Sequence, residues 1–283
     1  MHALPLLVAL ASACLLAPGL LRALRDGGHT RLNYRERRLP FPFGVLVLAS
    51  AVLALIPLAL LDRLGSRDVL HPEELVVALY ALGVIALGLV DDLLAPAHSR
   101  GEGAHRHRGL RGHAAAAFRG EPSTGALKAA GSLGLALLAL SYLNLANGRW
   151  LLAAAVLVLA THLFNLLDLR PGRCIKAFVV LAAGLTIGAG SPRPLWAVGL
   201  FAGPAIVAGV YDTRERALLG DTGASLLGAL AGLMLVLTLS RTGQLVALAL
   251  LAAITLYGEL RSISATIERT PGLRQLDSWG RPS

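Results

Sequence analysis

The chain has 283 residues, of which 55% are hydrophobic and 15% are charged, and its mean hydropathy is +0.65. Because soluble domains carry about one quarter charged residues, this composition excludes an ordinary soluble domain and favours a polytopic helical membrane protein. The net charge is +9, but the placement of the basic residues indicates membrane topology rather than nucleic-acid binding.

Apolar segments of about 20 residues, the length that a helix needs to cross a bilayer, follow one another along the chain. They are predicted near residues 3–24, 41–61, 75–94, 127–146, 150–168, 174–190, 194–211, 223–240 and 243–260. The first lacks the basic start of a signal peptide and is interpreted as a transmembrane helix. We therefore predict one all-α integral-membrane domain over residues 1–283, with about nine to ten transmembrane helices.

The basic residues of the loops predict the orientation of these helices. One side of the predicted bundle receives most of the 26 lysines and arginines. The other side holds only Arg63, Arg67, Arg149, Arg193 and Arg241. By the positive-inside rule the richer side is cytoplasmic, which places the N-terminus outside. The predicted cytoplasmic segments are loops near 25–40, 95–126, 169–173 and 212–222 and a tail near 262–283.

Carboxylates stand at the predicted cytoplasmic ends of three apolar segments. Asp91 and Asp92 close the third segment, Asp168 closes the fifth, and Asp221 precedes the eighth. A charged side chain at membrane depth costs about 2.5–3.5 kcal/mol even on the most lenient scale, so acids at these places indicate function. Asp212, in the loop before Asp221, is interpreted as part of a solvated charge cluster.

The polar residues near these acids suggest phosphoryl transfer. Mg²⁺ prefers a few carboxylate oxygens together with water and substrate phosphates. Asp221 begins a predicted helix, whose free N–H groups attract an anion. Asn165 and Asp168 are three residues apart and share one helical face. Lys128 can hold a phosphate as a point charge. Together they predict a Mg²⁺-assisted phosphoryl-transfer site at the membrane surface.

Three motifs, in this order, resemble those of the polyprenyl-phosphate N-acetylhexosamine-1-phosphate transferases. This family includes the enzyme that makes the first lipid intermediate of peptidoglycan. Gly88-Leu89-Val90-Asp91-Asp92 resembles its aspartate pair, Asn165-Leu166-Leu167-Asp168 its Asn-x-x-Asp motif, and Gly220-Asp221-Thr222-Gly223 its Gly-Asp-x-Gly motif. A basic segment containing a proline, Arg35–Pro40, precedes the second span as it does in the family.

The resemblance implies transfer of a sugar-1-phosphate from a UDP-sugar to undecaprenyl phosphate, with release of UMP, at the cytoplasmic face of the bacterial inner membrane. It implies that Asp91 or Asp92 is catalytic and that Asp221 and Asn165 hold Mg²⁺, with Mn²⁺ as a substitute. The residues assigned to substrate binding are Lys128, Asp168, Arg170, Arg173, Arg35, Arg38 and Gly223. The expected partners are the two substrates, membrane lipids and a second copy of the chain, but no nucleic acid.

Two departures from the family leave a second interpretation open. Pro171 stands where relatives carry a further aspartate, and the tail from Ile263 to Pro271 has none of the histidines that relatives carry in their last cytoplasmic loop. A catalytically weak relative that binds lipid phosphate, as a scaffold or regulator of envelope assembly, would fit these departures. A transporter is disfavoured because the acids stand at helix ends and no internal repeat is seen. A CDP-alcohol phosphotransferase would carry its acids in one local motif, which the chain lacks.

Overall fold

The computed structural model of the chain describes residues 2–65, 72–94 and 124–282. Residues 95–123 of the predicted loop near 95–126 lie outside the described residues, as does Arg67. Almost all of the described chain is helical. The helices are α1 (Leu4–Asp26), α2 (Val45–Leu64), α3 (Pro72–Leu94), α4 (Thr124–Leu140), α5 (Asn147–Leu167), α6 (Arg173–Gly188), α7 (Arg193–Ala197), α8 (Gly199–Thr213), α9 (Gly220–Thr238), α10 (Arg241–Leu260), α11 (Ile263–Arg269) and α12 (Pro271–Ser278).

Six of these helices, α1, α2, α3, α5, α9 and α10, are long and apolar enough to cross a membrane. The chain is therefore an all-α protein of the membrane class. The other predicted spans are shorter: α4 has 17 residues and α6 has 16. The span predicted at 194–211 is divided into α7 and α8 at Val198. The number of spans and their orientation stay predictions.

Helix α9 lies at the centre of the bundle and is almost entirely buried. It is rich in glycine and alanine, and small residues let neighbouring helices approach closely. A Cβ atom built on Gly88 of α3 would lie 2.6 Å from the carbonyl oxygen of Asp221, and one built on Gly228 would lie 2.6 Å from the Cα atom of Thr161 in α5. Helices α3 and α5 are therefore packed backbone to backbone against α9.

A short β-hairpin, which the sequence did not predict, joins α1 to α2. Strands β1 (Thr30–Leu32) and β2 (Arg38–Pro40) pair in antiparallel register. The carbonyl of Pro40 accepts the N–H of Leu218, and the carbonyl of Leu218 accepts the N–H of Phe43. These hydrogen bonds attach the end of the hairpin to the segment that directly precedes α9.

Candidate functional site

Residues of three helices meet at one end of the bundle to form a charged cluster. The ammonium group of Lys128, at the start of α4, lies 2.8 Å from Oδ2 of Asp221 and 3.3 Å from Oδ2 of Asp91. Asp91 comes from the end of α3 and Asp221 from the first turn of α9. All three side chains are mostly buried. We call Asp91, Lys128 and Asp221 the acid–lysine cluster; it holds one cation between two carboxylates.

Asp92 has different contacts from its neighbour Asp91. It is 5% exposed, and its carboxylate accepts the backbone N–H groups of Asp221 at 3.0 Å and Thr222 at 2.8 Å. It also accepts the hydroxyl of Thr222 at 2.6 Å. These are first-turn N–H groups of α9, which have no partner within their own helix. Asp92 thus caps α9 from another helix, and the anion at this N-terminus is a side chain of the protein itself.

Gly220 makes this capping contact possible. Its φ of +73° lies in the left-handed region that favours glycine. A Cβ atom at this position would also lie 2.6 Å from Oδ2 of Asp92. The glycine before Asp221 is therefore required by the backbone turn and by the close approach of Asp92.

Arg31 of β1 completes the surroundings of Asp92, and sequence reasoning missed it. Its guanidinium lies 4.0 Å from Oδ1 of Asp92 and 3.8 Å from the centre of the Phe41 ring. The hairpin brings Arg31 to the end of α3, from a position 61 residues earlier in the chain. No local sequence pattern distinguishes it from the other arginines of this segment.

Asn165 lies on the side of α5 that faces α9. Its amide oxygen accepts the hydroxyl of Ser225 at 2.9 Å, and its amide nitrogen donates to the carbonyl of Thr161 at 3.1 Å. Ser225 is one helical turn after Asp221, on the same face of α9. The structure therefore places Asn165 one turn deeper in the bundle than the acid–lysine cluster.

Asp168 follows the end of α5 and lines an open pocket beside the start of α9. The other residues of this pocket include Tyr34, Arg170, Pro171, Asp212 and Gly220. Since Gly220 directly precedes Asp221, the pocket borders the acid–lysine cluster.

The prediction that Asp212 belongs to a solvated charge cluster is wrong. Asp212 is 2% exposed, and its carboxylate accepts the N–H of Gly172 at 2.6 Å and that of Leu219 at 3.2 Å. It therefore ties the loop after α5 to the loop before α9. A carboxylate that accepts two buried N–H groups holds both loops at the edge of the pocket.

The side chain of Arg173 binds the C-terminal tail. It makes a two-pronged ion pair with Asp277, at 2.9 and 3.2 Å, and Arg281 pairs with the same carboxylate. Burial alone would raise the pKa of Asp277, but the hydrogen bonds from Arg173 and Arg281 outweigh it and lower the pKa below its ordinary value. The Lys176 ammonium also donates to the carbonyl of Asp277. This contact anchors the tail to the start of α6.

Arg170 and Arg35 flank Tyr34 at the mouth of the pocket. Arg170 lies 4.4 Å from the centre of the Tyr34 ring and pairs with Glu268 of the tail at 2.7 Å. Arg35 donates to the Tyr34 hydroxyl at 2.8 Å and to the carbonyl of Pro282 at 3.0 Å. Arg170 lines the pocket, Arg35 contacts Tyr34 of its lining, and each arginine also contacts the tail.

The last two predicted substrate-binding residues are Arg38 and Gly223. Arg38 is on β2 and its side chain is exposed. Gly223 is buried in α9, where its backbone packs against Gly44 before α2. The lack of a side chain at position 223 therefore allows the backbone at Gly44 to approach α9 closely.

The carboxylate oxygens of the cluster are of the type that magnesium prefers as ligands. Among the described residues, no group of three or more His, Cys, Asp or Glu side chains converges on one point. Mg²⁺ requires fewer protein ligands than that, because it retains water and takes substrate phosphate oxygens. Asp91 and Asp221 already place two carboxylate oxygens around one cation, the ammonium of Lys128.

No family model matches this chain, and no curated protein matches it.

Proposed function

We propose that the protein is a membrane-embedded transferase of bacterial envelope synthesis. It moves a sugar-1-phosphate from a UDP-sugar to a polyprenyl phosphate such as undecaprenyl phosphate. The observation that carries the proposal is the convergence of Asp91, Lys128 and Asp221 at one end of an apolar bundle. Charged groups gathered at a helix end suit a reaction between a lipid phosphate and a soluble nucleotide.

In the proposed reaction, an oxygen of the lipid phosphate forms a bond to the β-phosphorus of the UDP-sugar. The bond from that phosphorus to the oxygen bridging it to the α-phosphorus breaks, and UMP leaves with that oxygen. Such transfer depends on positioning and charge neutralisation. Asp91 is the residue that orients the lipid phosphate and accepts its proton where one is present, because Asp92 is occupied by three donors from α9.

Asp221 would hold Mg²⁺, with Asn165 supporting this face of α9 through Ser225. Bound Mg²⁺ would neutralise charge on the donor diphosphate. Lys128 supplies a positive charge at the same place, and its flexible side chain can turn from a carboxylate to a substrate phosphate. Asp168 and Arg170 border the pocket that we assign to the soluble donor.

The proposed site faces the cytoplasm. Most lysines and arginines lie in the predicted loops next to Asp91, Asp168 and Asp221, and the positive-inside rule assigns such loops to the cytoplasm. The UDP-sugar would enter the pocket from the solvent, and the polyprenyl phosphate would approach from within the bilayer.

A donor screen tests this proposal. The purified chain is incubated with undecaprenyl phosphate, Mg²⁺ and a panel of UDP-sugars, and UMP release is measured. We expect UMP from at least one donor, and only when the lipid phosphate is present. Folded protein that releases no UMP with any donor would contradict the proposal.

A scaffold that binds lipid phosphate without turnover is the second candidate. The observation that favours it is the engagement of Arg170 and Arg173, both predicted donor contacts, by Glu268 and Asp277 of the tail. Native mass spectrometry of the chain with undecaprenyl phosphate separates the candidates. Binding of the lipid by wild-type protein and by Asp221→Asn, without UMP release from either, would support the scaffold.

A further inference from the structure

The C-terminal tail crosses the end of the bundle from α10 to α6. It leaves α10 at Leu260, and the hydroxyls of Tyr257 and Thr266 hydrogen-bond at 2.6 Å, so that α11 stays beside the end of α10. Asp277 then fastens α12 to Arg173, the first residue of α6. Since both attachments are at helix ends, α12 lies level with the end of the bundle.

The outer face of this segment carries large apolar side chains. Leu273 and Leu276 are each 46% exposed, and Trp279 is 74% exposed. Every residue of α12 except Asp277 is exposed. The helix docks through Asp277, whose carboxylate pairs with Arg173 and Arg281 and whose carbonyl accepts Lys176, while nearly half of each leucine side chain and most of Trp279 stay exposed.

The same segment carries unbalanced positive charge. Arg261, Arg269 and Arg274 are exposed, and none of their side chains makes an ion pair or hydrogen bond in the part of the chain that the structure describes. By contrast, the carboxylates of Glu268 and Asp277 are neutralised by Arg170, Arg173 and Arg281. The outward surface is thus apolar and cationic.

We infer that α12 and the residues around it bind the anionic headgroup layer of the bilayer. Leucine and tryptophan beside exposed arginines are the composition of helices that lie in a membrane interface. Tryptophan concentrates at headgroup level, and arginines near the surface attract anionic lipids. Continuity with α10, one of the helices able to span a membrane, holds the segment at this depth. Asp277, on the inward side, would link this lipid contact to the loop that borders the pocket.

Fluorescence of Trp279 tests the inference without reference to catalysis. The chain has three tryptophans, so the Trp279 signal is the emission of wild-type protein minus that of Trp279→Phe, an exposed position where the substitution leaves the fold intact. Both proteins are reconstituted in nanodiscs that contain phosphatidylglycerol. We expect the Trp279 signal to shift to the blue and to be quenched by lipids brominated near the headgroup. It should also resist quenching by iodide in the solvent.

Two outcomes would overturn the inference. A Trp279 signal quenched by iodide and unaffected by brominated lipids would mean that the apolar face points to solvent or a soluble partner. Protection of Trp279 from iodide that appears only when each nanodisc holds two copies of the chain would assign the face to a dimer.

The arginines have a matched control at the other end of α10. The Arg269→Gln/Arg274→Gln variant should lose the part of the brominated-lipid quenching that depends on phosphatidylglycerol. Arg241→Gln, an exposed change at the first residue of α10, should retain it. If brominated lipids quench the wild type and the double variant equally in neutral and in anionic nanodiscs, the assignment to anionic headgroups would be contradicted.

Discussion

Asp91 and Asp92 differ in what their carboxylates contact, although they are adjacent in the chain. Successive residues of a helix point about 100° apart, so only Asp91 faces Lys128 while Asp92 faces the first turn of α9. The sequence predicts that this pair is important, because acids at the end of an apolar helix are costly. It does not indicate which aspartate caps and which remains available, because that depends on the packing of α3 against α9.

Substitution of each aspartate by asparagine should separate these two roles. Asp92→Asn should lower the free energy of unfolding by about 1–3 kcal/mol, because an amide cannot accept all three hydrogen bonds from α9. Asp91→Asn should leave stability nearly unchanged, since Lys128 keeps Asp221 as its partner, but should abolish UMP release. Thermal unfolding in detergent and the turnover assay measure the two effects. Equal destabilisation by both substitutions would contradict this division.

At the scale of elements, the helices could be predicted from hydropathy but their connections could not. Most predicted segments and observed helices agree to within about four residues, because the apolar runs are long. However, α4 ends at Leu140 rather than near 146, and the segment predicted at 194–211 is divided into α7 and α8. The β-hairpin has two strands of three residues each, too short for an alternating pattern. The tail is docked by contacts such as the ion pair between Arg173 and Asp277, which are 104 residues apart in the chain, and no local pattern indicates such contacts. Both features surround the pocket and decide the contacts of Arg35, Arg170 and Arg173.

Docking of the tail should depend on pH through Asp277. Because its pKa is lower in the docked state than its ordinary value of 3.8, Asp277 stabilises docking fully above that ordinary value. The contribution is lost as the pH falls through the lowered pKa. Hydrogen exchange of residues 263–282 should therefore show protection from neutral pH down to about 4 and loss of protection below it.

Asp277→Asn is the reference for this measurement. Its tail should exchange rapidly at neutral pH already, because Arg173 and Arg281 lose their carboxylate. A wild-type tail that undocks near pH 6, or an Asp277→Asn tail as protected as wild type, would contradict the role given to this ion pair.

At the scale of the whole molecule, the buried helix α9 organises the site. Helix α3 places Asp91 and Asp92 beside the first turn of α9, and α5 places Asn165 beside the second turn of α9. The Gly-Asp-x-Gly motif therefore lies where three helices meet. The sequence predicted that these motifs share one side of the membrane, but their distances depend on close helix packing at small residues, which hydropathy does not encode.

Gly88→Ala tests this packing. The added Cβ would lie 2.6 Å from the carbonyl oxygen of Asp221 and 2.8 Å from the Cα atom of Thr222, so α3 and α9 must move apart. We expect a loss of about 1–3 kcal/mol of stability and a larger loss of turnover. Gly184→Ala in α6 is the control, because no atom lies within 4 Å of its Cβ position. It should keep turnover and raise stability by up to about 1 kcal/mol. Equal behaviour of the two variants would contradict the packing argument.

The most direct test of the central claim is the magnesium dependence of UMP release in nanodiscs that contain undecaprenyl phosphate. With an active UDP-sugar, wild-type protein should release UMP only when Mg²⁺ is added. Asp221→Asn should fold normally and release none at any Mg²⁺ concentration. Asp26→Asn, an exposed change at the last residue of α1, should match wild type. UMP release by Asp221→Asn at the wild-type rate, or release by wild type that persists without a divalent cation, would contradict the assignment of the acid–lysine cluster as the catalytic site.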